Sequence, residues 1–357
     1  MRQLVFGGPG KLSVEDTEQP RLRPGEVRVA THSAGICGSD VHGFTGANAR
    51  RVAGMVMGHE AVGTVLERAP GADAPEPGQA VVVNPAVTCG RCEFCVSGQD
   101  NRCAERRLHG CALELPGAFA DSFVVAARNV VPFEGPAPLE WGALVEPFAV
   151  GYHGAKLLEG GLERGVLVLG GGPIGLGAAL AARGRGVERV VLSEPLAHRR
   201  EVAAALGIES VEPDVPLEPF DAALECVAIG ATLEAALRLT RPGGQVAFVG
   251  MGELHIPLAV EPLVQGERVI RGSFNYTRED FAATAAWVAS KEVDLSPVIE
   301  ARVDLDGLIP AFRAYADGTS QAMKTLFQPG GNGTGADLHK SPERSGTDPT
   351  SGGESNA

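Results

Sequence analysis

The sequence predicts an α/β protein with two domains, one built on a doubly wound parallel sheet and one rich in short β-strands. Three observations support this fold class. The chain has 357 residues, which exceeds the size at which a single hydrophobic core keeps growing. Residues 1 to about 135 are short apolar runs interrupted by Gly and Pro. From residue 166 onward, apolar runs alternate with Ala-rich stretches, as in βαβ units.

The amino-terminal part contains β-branched runs that end at turn residues. Candidate strands cover residues 27–30, 61–66, 80–83 and 122–125, and Pro-Gly pairs punctuate the intervening segments. This spacing of short strands predicts a β-rich, barrel-like domain.

The second part predicts strands at 166–169, 190–192, 222–224 and 246–249, with helices at 174–183, 197–206 and 231–239 between them. Such alternation favours right-handed crossovers and a parallel sheet. A helix at 308–316 and an apolar run at 324–328 are expected to return to the first domain. The predicted division is residues 1–150 with 291–328, then 151–290, then a tail at 329–357. That tail is rich in Gly, Ser, Thr, Pro and charge, so we expect it to be disordered.

Composition limits the classes of partner. A net charge of −13 leaves no excess of Lys and Arg to neutralise phosphates, so nucleic acid is not an expected partner. No secretory signal and no apolar run long enough to cross a membrane is evident. We therefore expect a cytoplasmic protein whose seven cysteines are thiols or metal ligands.

Four closely spaced cysteines give the strongest local signal. Cys89, Cys92, Cys95 and Cys103 have the spacing that lets thiolates surround a Zn²⁺ ion tetrahedrally. An iron–sulfur cluster is the alternative metal group, but its typical run closes with a shorter gap followed by Pro, whereas Ala104 follows here. The pattern predicts a closed structural zinc site that holds a loop, with unliganded cysteines as the other alternative.

A second set of candidate ligands lies upstream. Cys37 stands in Gly-Ile-Cys-Gly-Ser-Asp-Val-His, and His59 and Glu60 stand in Gly-His-Glu. One thiolate, one imidazole and one or two carboxylates match a catalytic zinc site with an open position. Considered alone, a lone buried cysteine or a hydrogen-bonded core histidine explains the same residues.

A glycine-rich turn predicts dinucleotide binding. Gly170, Gly172 and Gly175 form G-x-G-x-x-G directly after an apolar strand, and a helix is predicted to begin near Pro173 and Ile174. In a Rossmann fold the first glycine permits the turn, the second lets pyrophosphate approach the backbone, and the third allows close helix–sheet packing. The free N–H groups of the helix then face phosphate.

The next predicted strand ends at Glu194, 19 residues beyond Gly175, where a carboxylate binds the ribose hydroxyls. A carboxylate there repels a 2′-phosphate, so we expect NAD rather than NADP. Arg199 and Arg200 are the opposing signal, because they could receive that phosphate. The alternative for both arginines is a solvated helix face.

Taken together, Gly-Ile-Cys-Gly-Ser-Asp-Val-His at 35–42, Gly-His-Glu at 58–60, the four cysteines and the glycine-rich turn resemble the zinc-containing medium-chain alcohol dehydrogenase superfamily. The order and spacing cover residues 1–328. Because it has Glu60 beside His59 and the later pair Glu146-Pro147, the chain most resembles the polyol branch of this superfamily. That branch includes sorbitol, threonine, butanediol and cyclitol dehydrogenases. The resemblance implies a GroES-like barrel domain joined to a Rossmann domain. It also implies hydride transfer between NAD(H) and a secondary alcohol or ketone of a polyol, cyclitol or sugar derivative.

The resemblance assigns roles around a catalytic zinc. It implies that Cys37, His59 and Glu60 bind the metal, and that Glu146 reaches it directly or through water. Asp40 is expected to hold the imidazole of His59, with turn capping as its alternative role. Two zinc ions per chain are expected, one catalytic and one structural.

Further roles follow from the same resemblance. Ser39 and His42 would relay the substrate's hydroxyl proton to solvent, with a turn serine and a solvated histidine as alternatives. Arg199 is expected beside the adenosine ribose. Two further segments are expected near the nicotinamide, although either could be ordinary strand-end structure: Val249, Gly250 and Met251, and then Ser273 and Phe274.

Three competing functions remain open at this stage. They are a dehydrogenase for simple apolar alcohols, a zinc- and NAD-binding protein without catalysis, and a nucleic-acid-binding zinc ribbon, which the acidic balance disfavours. Arg50 and Arg51 are candidates for contact with a hydroxylated or anionic substrate, with solvated side chains as the alternative. Family habit predicts a homotetramer or a homodimer.

Overall fold

The computed structural model describes residues 1–48, 50–253 and 255–330. The predicted disordered tail at 329–357 therefore lies outside the described residues, apart from its first two positions. Among the helices that the model describes, none combines the length and apolarity required to cross a bilayer.

Short strands dominate the first 132 residues, where β-branched residues are bounded by Gly and Pro. Two helices interrupt them, and both begin at cysteines that were predicted as metal ligands. The elements are β1 (Arg2–Gly8), β2 (Lys11–Asp16), β3 (Glu26–Gly35), α1 (Gly38–Thr45), β4 (Met55–Val56), β5 (Glu60–Arg68), β6 (Ala80–Val83), β7 (Ala86–Val87), α2 (Glu93–Val96), β8 (Arg107–Leu108), β9 (Ser122–Ala126) and β10 (Val130–Pro132).

Helices and strands alternate after a linking helix, and the last elements return to the pattern of the first half. The elements are α3 (Val145–Lys156), β11 (Val166–Leu169), α4 (Pro173–Gly184), β12 (Val190–Ser193), α5 (Ala197–Ala205), β13 (Glu209–Val211), β14 (Phe220–Glu225), α6 (Gly230–Leu239), β15 (Thr240–Phe248), α7 (Val260–Gln265), β16 (Val269–Gly272), α8 (Arg278–Ser290), β17 (Ala301–Val303), α9 (Leu305–Ala316) and β18 (Thr325–Phe327).

The largest sheet of the first half has the order β10-β6-β5-β3-β18-β17, and β9 pairs with the other end of β3. All pairings in it are antiparallel except β17 with β18. Thus β18, from the end of the described chain, pairs antiparallel with β3 from its beginning. Phe119 makes edge-to-face contacts with Phe312 and Phe327, which joins the carboxy-terminal elements to the amino-terminal core.

The second half contains a six-stranded sheet of order β13-β12-β11-β14-β15-β16, in which every pairing is parallel. Counted within the sheet, this is the order 3-2-1-4-5-6 of the dinucleotide-binding fold. The predicted doubly wound parallel sheet is therefore confirmed, and the glycine-rich turn lies at the carboxyl end of its first strand.

Two features of this sheet differ from the expectation. β15 begins at Thr240 rather than at residue 246, because the turn-like residues 241–244 are included in the strand. The register shifts between Phe220↔Thr240 and Ala222↔Gln245, so the extra residues form a bulge. Short β13 and edge strand β16 complete the sheet, and neither has a long enough apolar run to be recognised in sequence.

Helix α3 was not predicted, yet it carries Glu146 and packs closely against α4. A Cβ on Gly151 would lie 2.4 Å from the backbone nitrogen of Ala178, and one on Gly177 would lie 2.8 Å from the Cα of Phe148. Glycines at these two positions therefore let the helix axes approach closely. The ring of Phe148 also contacts Trp287 on α8, which fixes α3 between two helices of the second half.

Candidate active site and metal centres

The predicted ligands Cys37, His59 and Glu60 come together at the ends of two paired strands. Cys37 caps the amino terminus of α1, just after β3, and Glu60 is the first residue of β5. The antiparallel register pairs Gly35 with Glu60. One potential ligand atom from each of the three residues lies within 4.8 Å of the others. Strand pairing therefore assembles a three-donor site from segments more than 20 residues apart.

Two glycines make room for this cluster. A Cβ on Gly35 would lie 2.0 Å from Oε2 of Glu60, so a side chain there would displace the carboxylate. Gly58 has a φ of +94°, and a Cβ added at this position would lie 2.9 Å from the ring of Phe119. The backbone before His59 thus takes a left-handed turn that favours glycine.

Asp40 holds the imidazole of His59. Its Oδ1 lies 3.5 Å from Nδ1 of His59 and accepts a hydrogen bond from Nη2 of Arg51 at 2.8 Å. The other oxygen accepts from the backbone N–H of Cys37 at 3.4 Å, so Asp40 also caps the turn. These contacts engage Nδ1 and leave Nε2 as the nitrogen available to a ligand.

The surroundings of the three donors favour positive charge. Burial opposes the charged imidazole, yet negative charge on Asp40 and on the sulfurs of Cys111 and Cys37 outweighs burial and raises the pKa of His59 well above its usual value. A buried, anion-rich pocket with sulfur, nitrogen and carboxylate donors is the environment that Zn²⁺ requires. The residues present therefore fit a zinc ion.

Glu60 is also part of a buried ion pair. Nζ of Lys324 lies 2.6 Å from Oε2 of Glu60 and donates to the backbone oxygen of Ile36 at 3.1 Å. Burial alone would lower the pKa of Lys324, but the Glu60 carboxylate raises it above its usual value. One carboxylate oxygen is thus held by the ammonium group, which leaves the other for a metal.

Glu146 stands beside the three-donor cluster, on the first turn of α3. Its Oε1 accepts a hydrogen bond from the hydroxyl of Tyr276 at 2.9 Å. Burial raises the pKa of Glu146 to about 7, and the nearby Glu60 carboxylate acts in the same direction. A carboxyl group with this pKa can change its protonation state near neutral pH.

The two residues of the predicted proton relay lie one helical turn apart on α1. The hydroxyl of Ser39 donates to Sγ of Cys37 at 3.4 Å and lies equally far from Nη2 of Arg51. His42 is exposed. Ser39 is thus adjacent to the metal-ligand cluster, and His42 lies at the surface.

The four cysteines converge as their spacing predicted. One sulfur from each of Cys89, Cys92, Cys95 and Cys103 lies within 4.8 Å of the others. Backbone N–H groups of Arg91 and Cys92 lower the pKa of the Cys89 thiol to about 6. A thiol that ionises this readily supplies the thiolate that zinc binds. The described cluster therefore fits a closed tetrahedral metal site.

A different feature of the geometry explains the presence of each glycine in the dinucleotide motif. Gly170 has a φ of +99°, and a Cβ there would lie 2.5 Å from the side chain of Val227. A Cβ on Gly175 would lie 1.8 Å from the oxygen of Gly170. Gly172 is the N-cap of α4 and has open space around it, while Pro173 is the first helical residue and Ile174 the second. The open side of this turn can receive a pyrophosphate.

Glu194 follows β12 and is buried against the glycine turn. Its Oε2 accepts from the N–H of Gly171 at 2.7 Å, and Oε1 accepts from the N–H of Leu196 at 2.9 Å. Nη1 of Arg199 lies 3.9 Å from the same carboxylate. Arg200 instead bonds Glu212 at 2.7 Å, so the two neighbouring arginines point to different carboxylates.

The late cofactor candidates occupy the carboxyl ends of β15 and β16. The N–H groups of Val249 and Gly250 both donate to the oxygen of Glu225, and Met251 is exposed. The hydroxyl of Ser273 is buried without a hydrogen-bond partner among the described residues, and Phe274 is partly exposed. Ser273 therefore offers an unpaired donor next to the parallel sheet.

Residues 23–135 match the family model "Alcohol dehydrogenase GroES-like domain", and residues 173–290 match "Zinc-binding dehydrogenase". L-idonate 5-dehydrogenase of Vitis vinifera is 31% identical over 337 residues, covering 88% of this chain and 91% of the relative. Sorbitol dehydrogenase of Homo sapiens is 31% identical over 340 residues, covering 88% and 92%. The chain belongs to the polyol branch of the zinc-containing medium-chain alcohol dehydrogenases.

The fold of this dehydrogenase is shared with solved structures. A Sinorhizobium meliloti 1021 protein described as a zinc-binding dehydrogenase and bound to NADP superposes with a TM-score of 0.85 at 26% identity, covering 92% of this chain and 99% of that one. The chain is thus a zinc-dependent oxidoreductase of the NAD(P)-linked class, as its sequence motifs predicted.

Four residues of the site were not assigned from the dehydrogenase motifs. Tyr276, Lys324 and Cys111 had no expected role, and Cys111 lies 3.9 Å from Nδ1 of His59. Arg51 was a candidate for substrate contact or solvent exposure. It is instead buried and bonded to Asp40, so it supports His59 through that carboxylate. A useful signal for Tyr276 was its position two residues after the predicted Ser273-Phe274 contact.

Proposed function

We propose that this dehydrogenase oxidises a secondary hydroxyl group of a polyol, cyclitol or sugar derivative, and reduces the corresponding ketone, with NAD as hydride carrier. The observation that carries the proposal is the cluster of the partly buried Cys37 with the buried His59 and Glu60, with Glu146 beside it. The similarity of the chain to the idonate and sorbitol dehydrogenases, over most of the length of those proteins, supports the same class of substrate.

We assign the catalytic zinc to Cys37, His59 and Glu60, and the structural zinc to the four cysteines at 89–103. The three-donor site leaves a coordination position for substrate, whereas the four-cysteine site does not. When bound, the catalytic zinc makes a substrate hydroxyl more acidic and polarises a ketone in the reverse direction.

The chain's own residues then position substrate and move the proton. The hydroxyl of Ser39 would accept the substrate's hydroxyl proton as it gives its own proton to His42, one turn further along α1, and His42 would release that proton to solvent. Asp40 and Arg51 keep the imidazole of His59 in one orientation. The glycine turn and the amino terminus of α4 bind the pyrophosphate, so that the nicotinamide receives hydride from the substrate carbon.

Similarity to relatives that act on sugar acids and polyols favours a hydroxylated substrate over a simple apolar alcohol. These relatives include L-galactonate-5-dehydrogenase of Escherichia coli, 31% identical over 306 residues, and the idonate and sorbitol dehydrogenases.

A cofactor and substrate screen tests the function. The zinc-loaded protein is incubated with NAD and a panel of polyols, cyclitols and sugar acids, and absorbance at 340 nm reports NADH. We expect turnover with at least one member carrying a secondary hydroxyl, and weaker turnover with unbranched primary alcohols. NADH binding without turnover across the whole panel would instead indicate a non-catalytic protein.

Glu194 supports NAD over NADP. Its carboxylate is held against the glycine turn by two backbone N–H groups, where the adenosine ribose is expected. A 2′-phosphate about 5 Å away would be repelled by about 3 kcal/mol at an effective dielectric constant near 20. Arg199 offsets part of that repulsion, because it lies 3.9 Å from the carboxylate.

Glu194→Gln is expected to shift cofactor preference toward NADP by at least about tenfold in the ratio of kcat/KM values. The amide oxygen of glutamine can still accept from the N–H of Gly171, so the contact with the glycine turn is retained, while the charge and the bond from the N–H of Leu196 are removed. Glu212→Gln is the matched control, because it removes an exposed carboxylate that pairs with Arg200. An unchanged cofactor ratio in Glu194→Gln would count against this role.

We also propose a homo-oligomer in a reducing compartment, consistent with a cytoplasmic location. β16 is an edge strand of the parallel sheet, and the exposed apolar residues Val260, Val264 and Val269 lie on it and on α7. An apolar edge of this kind favours pairing with another chain. None of the seven cysteines, all of which lie within the described residues, forms a disulfide. Molecular mass from light scattering distinguishes a dimer or tetramer from a monomer.

A further inference from the structure

The four-cysteine lobe, residues 89–106, contacts the segment that follows β16 in the second half of the molecule. Nδ2 of Asn101 donates to the backbone oxygen of Phe274 at 3.1 Å, and Oδ1 of Asp100 accepts from the N–H of Arg278 at 3.0 Å. The guanidinium carbon of Arg106 lies 4.3 Å from the centre of the Phe274 ring. Three lobe residues thus hold the segment 273–278, which runs from the end of β16 to the first residue of α8, largely through its backbone.

Asn101 is itself oriented by a buried polar chain. Nδ1 of His153 lies 2.7 Å from Oδ2 of Asp280, and Nε2 of His153 lies 3.2 Å from Nδ2 of Asn101. If Nδ1 carries the proton and donates to the carboxylate, Nε2 accepts from the Asn101 amide. Both amide hydrogens of Asn101 are then used, one on His153 and one on Phe274. This arrangement fixes the direction in which Asn101 holds the segment.

The opposite side of the same segment faces the active site. Tyr276 is buried and donates its hydroxyl to Oε1 of Glu146. Ser273 and Asn275 each have a buried polar atom without a hydrogen-bond partner among the described residues. Asn275 also has a φ of +50°, a left-handed backbone that the neighbouring contacts must maintain. The segment therefore contacts the active site through Tyr276 while the lobe holds its backbone.

The metal ligands are directly linked to these holding residues. Asp100, Asn101 and Arg102 form a single 3-10 turn, and the N–H of Cys103 donates to the oxygen of Asp100 at 3.0 Å. Any constraint on Cys103 is thus transmitted to Asp100 and Asn101 within one turn of backbone. A closed metal site at the four cysteines would hold that turn in place.

We propose that the four-cysteine lobe is a positioning device for the active site, in addition to stabilising its own loop. Asp100 and Asn101 are positioning residues that fix the segment 273–278. Through Tyr276 they orient the carboxyl group of Glu146, and they hold Ser273 and Phe274 where contact with the nicotinamide is expected. The inference rests on the proposed function for the location of the nicotinamide and the role of Glu146. It predicts that a change in the lobe, with both metal sites intact, weakens cofactor binding and catalysis.

The test compares single variants of the full-length, zinc-loaded enzyme. Asn101→Ala and Asp100→Ala each remove a contact to the segment, and Asp100→Asn retains an oxygen that can accept from Arg278. Glu105→Gln is the matched control, because Glu105 pairs with Arg91 on the exposed side of the same lobe. For each protein we measure the zinc content, the Tm, the Kd for NADH by fluorescence, and kcat separately from KM.

We expect Asn101→Ala and Asp100→Ala to retain their zinc while the Kd for NADH rises and kcat falls, each by about tenfold, since small misplacements of reacting groups are costly. Asp100→Asn should match the wild type, and so should Glu105→Gln. Should Asn101→Ala fail to fold, Asp100→Ala compared with Asp100→Asn decides the matter. The proposal is overturned if both alanine variants have the NADH affinity and kcat of Glu105→Gln. Failure of the wild-type enzyme to bind NADH or turn over would instead refute the proposed function.

Discussion

Cys37→Ser is expected to reduce kcat/KM by more than about 100-fold while leaving a folded protein. The serine hydroxyl is far less acidic than a thiol and cannot replace the thiolate in the three-donor site with His59 and Glu60. The substitution is nearly isosteric, and Cys37 is only partly buried at the start of α1, so packing should change little. Zinc content should fall from about two ions per chain to about one.

Cys103→Ser is the matched comparison, since it removes one sulfur from the other cysteine site. The side chain is buried and lies in the four-cysteine lobe, where the proposed metal would stabilise the folded loop. We expect a lower Tm and loss of the second zinc ion. Retained turnover in Cys37→Ser would refute the catalytic assignment, and a wild-type Tm in Cys103→Ser would refute the structural one.

The parts of the site that sequence predicted are those encoded within a short stretch of chain. The glycine turn at 170–175 and the cysteines at 89–103 bring their functional atoms together through local backbone geometry. The spacing of residues therefore carries most of the information. The parallel sheet was predictable for a similar reason, because apolar runs and helices alternate at regular intervals.

The contacts that sequence did not predict join residues distant along the chain. Tyr276 and Glu146 are 130 residues apart, and Lys324 and Glu60 are 264 apart. No local pattern specifies such a pair, because each pair forms only when distant parts of the chain pack together. The partner of Arg51 was not predicted either, although Asp40 is much closer to it along the chain. The charge of Arg51 suggested contact with solvent or with substrate, but folding places its side chain against the buried Asp40.

Lys324→Met is expected to lower the free energy of unfolding of the zinc-free protein by about 3–5 kcal/mol. The ammonium group of Lys324 and the carboxylate of Glu60 are 2.6 Å apart, with side-chain exposures of 4% and 1%. Methionine keeps much of the length and volume of lysine but leaves the Glu60 carboxylate buried without its partner. Burying an unpaired charge destabilises a folded protein by more free energy than a buried ion pair contributes. The decrease in the free energy of unfolding should therefore be large.

The double variant Lys324→Met/Glu60→Gln separates charge from packing. A neutral glutamine needs no ammonium partner, so the double variant should recover much of the stability lost in Lys324→Met, measured by urea unfolding. Arg302→Met is the control, because Arg302 pairs with Glu140 in a more exposed pair and should cost about 1 kcal/mol or less. Zinc should partly rescue Lys324→Met, since a bound cation near Glu60 replaces the missing positive charge. A loss no larger than that of Arg302→Met would show that Lys324 does not neutralise Glu60.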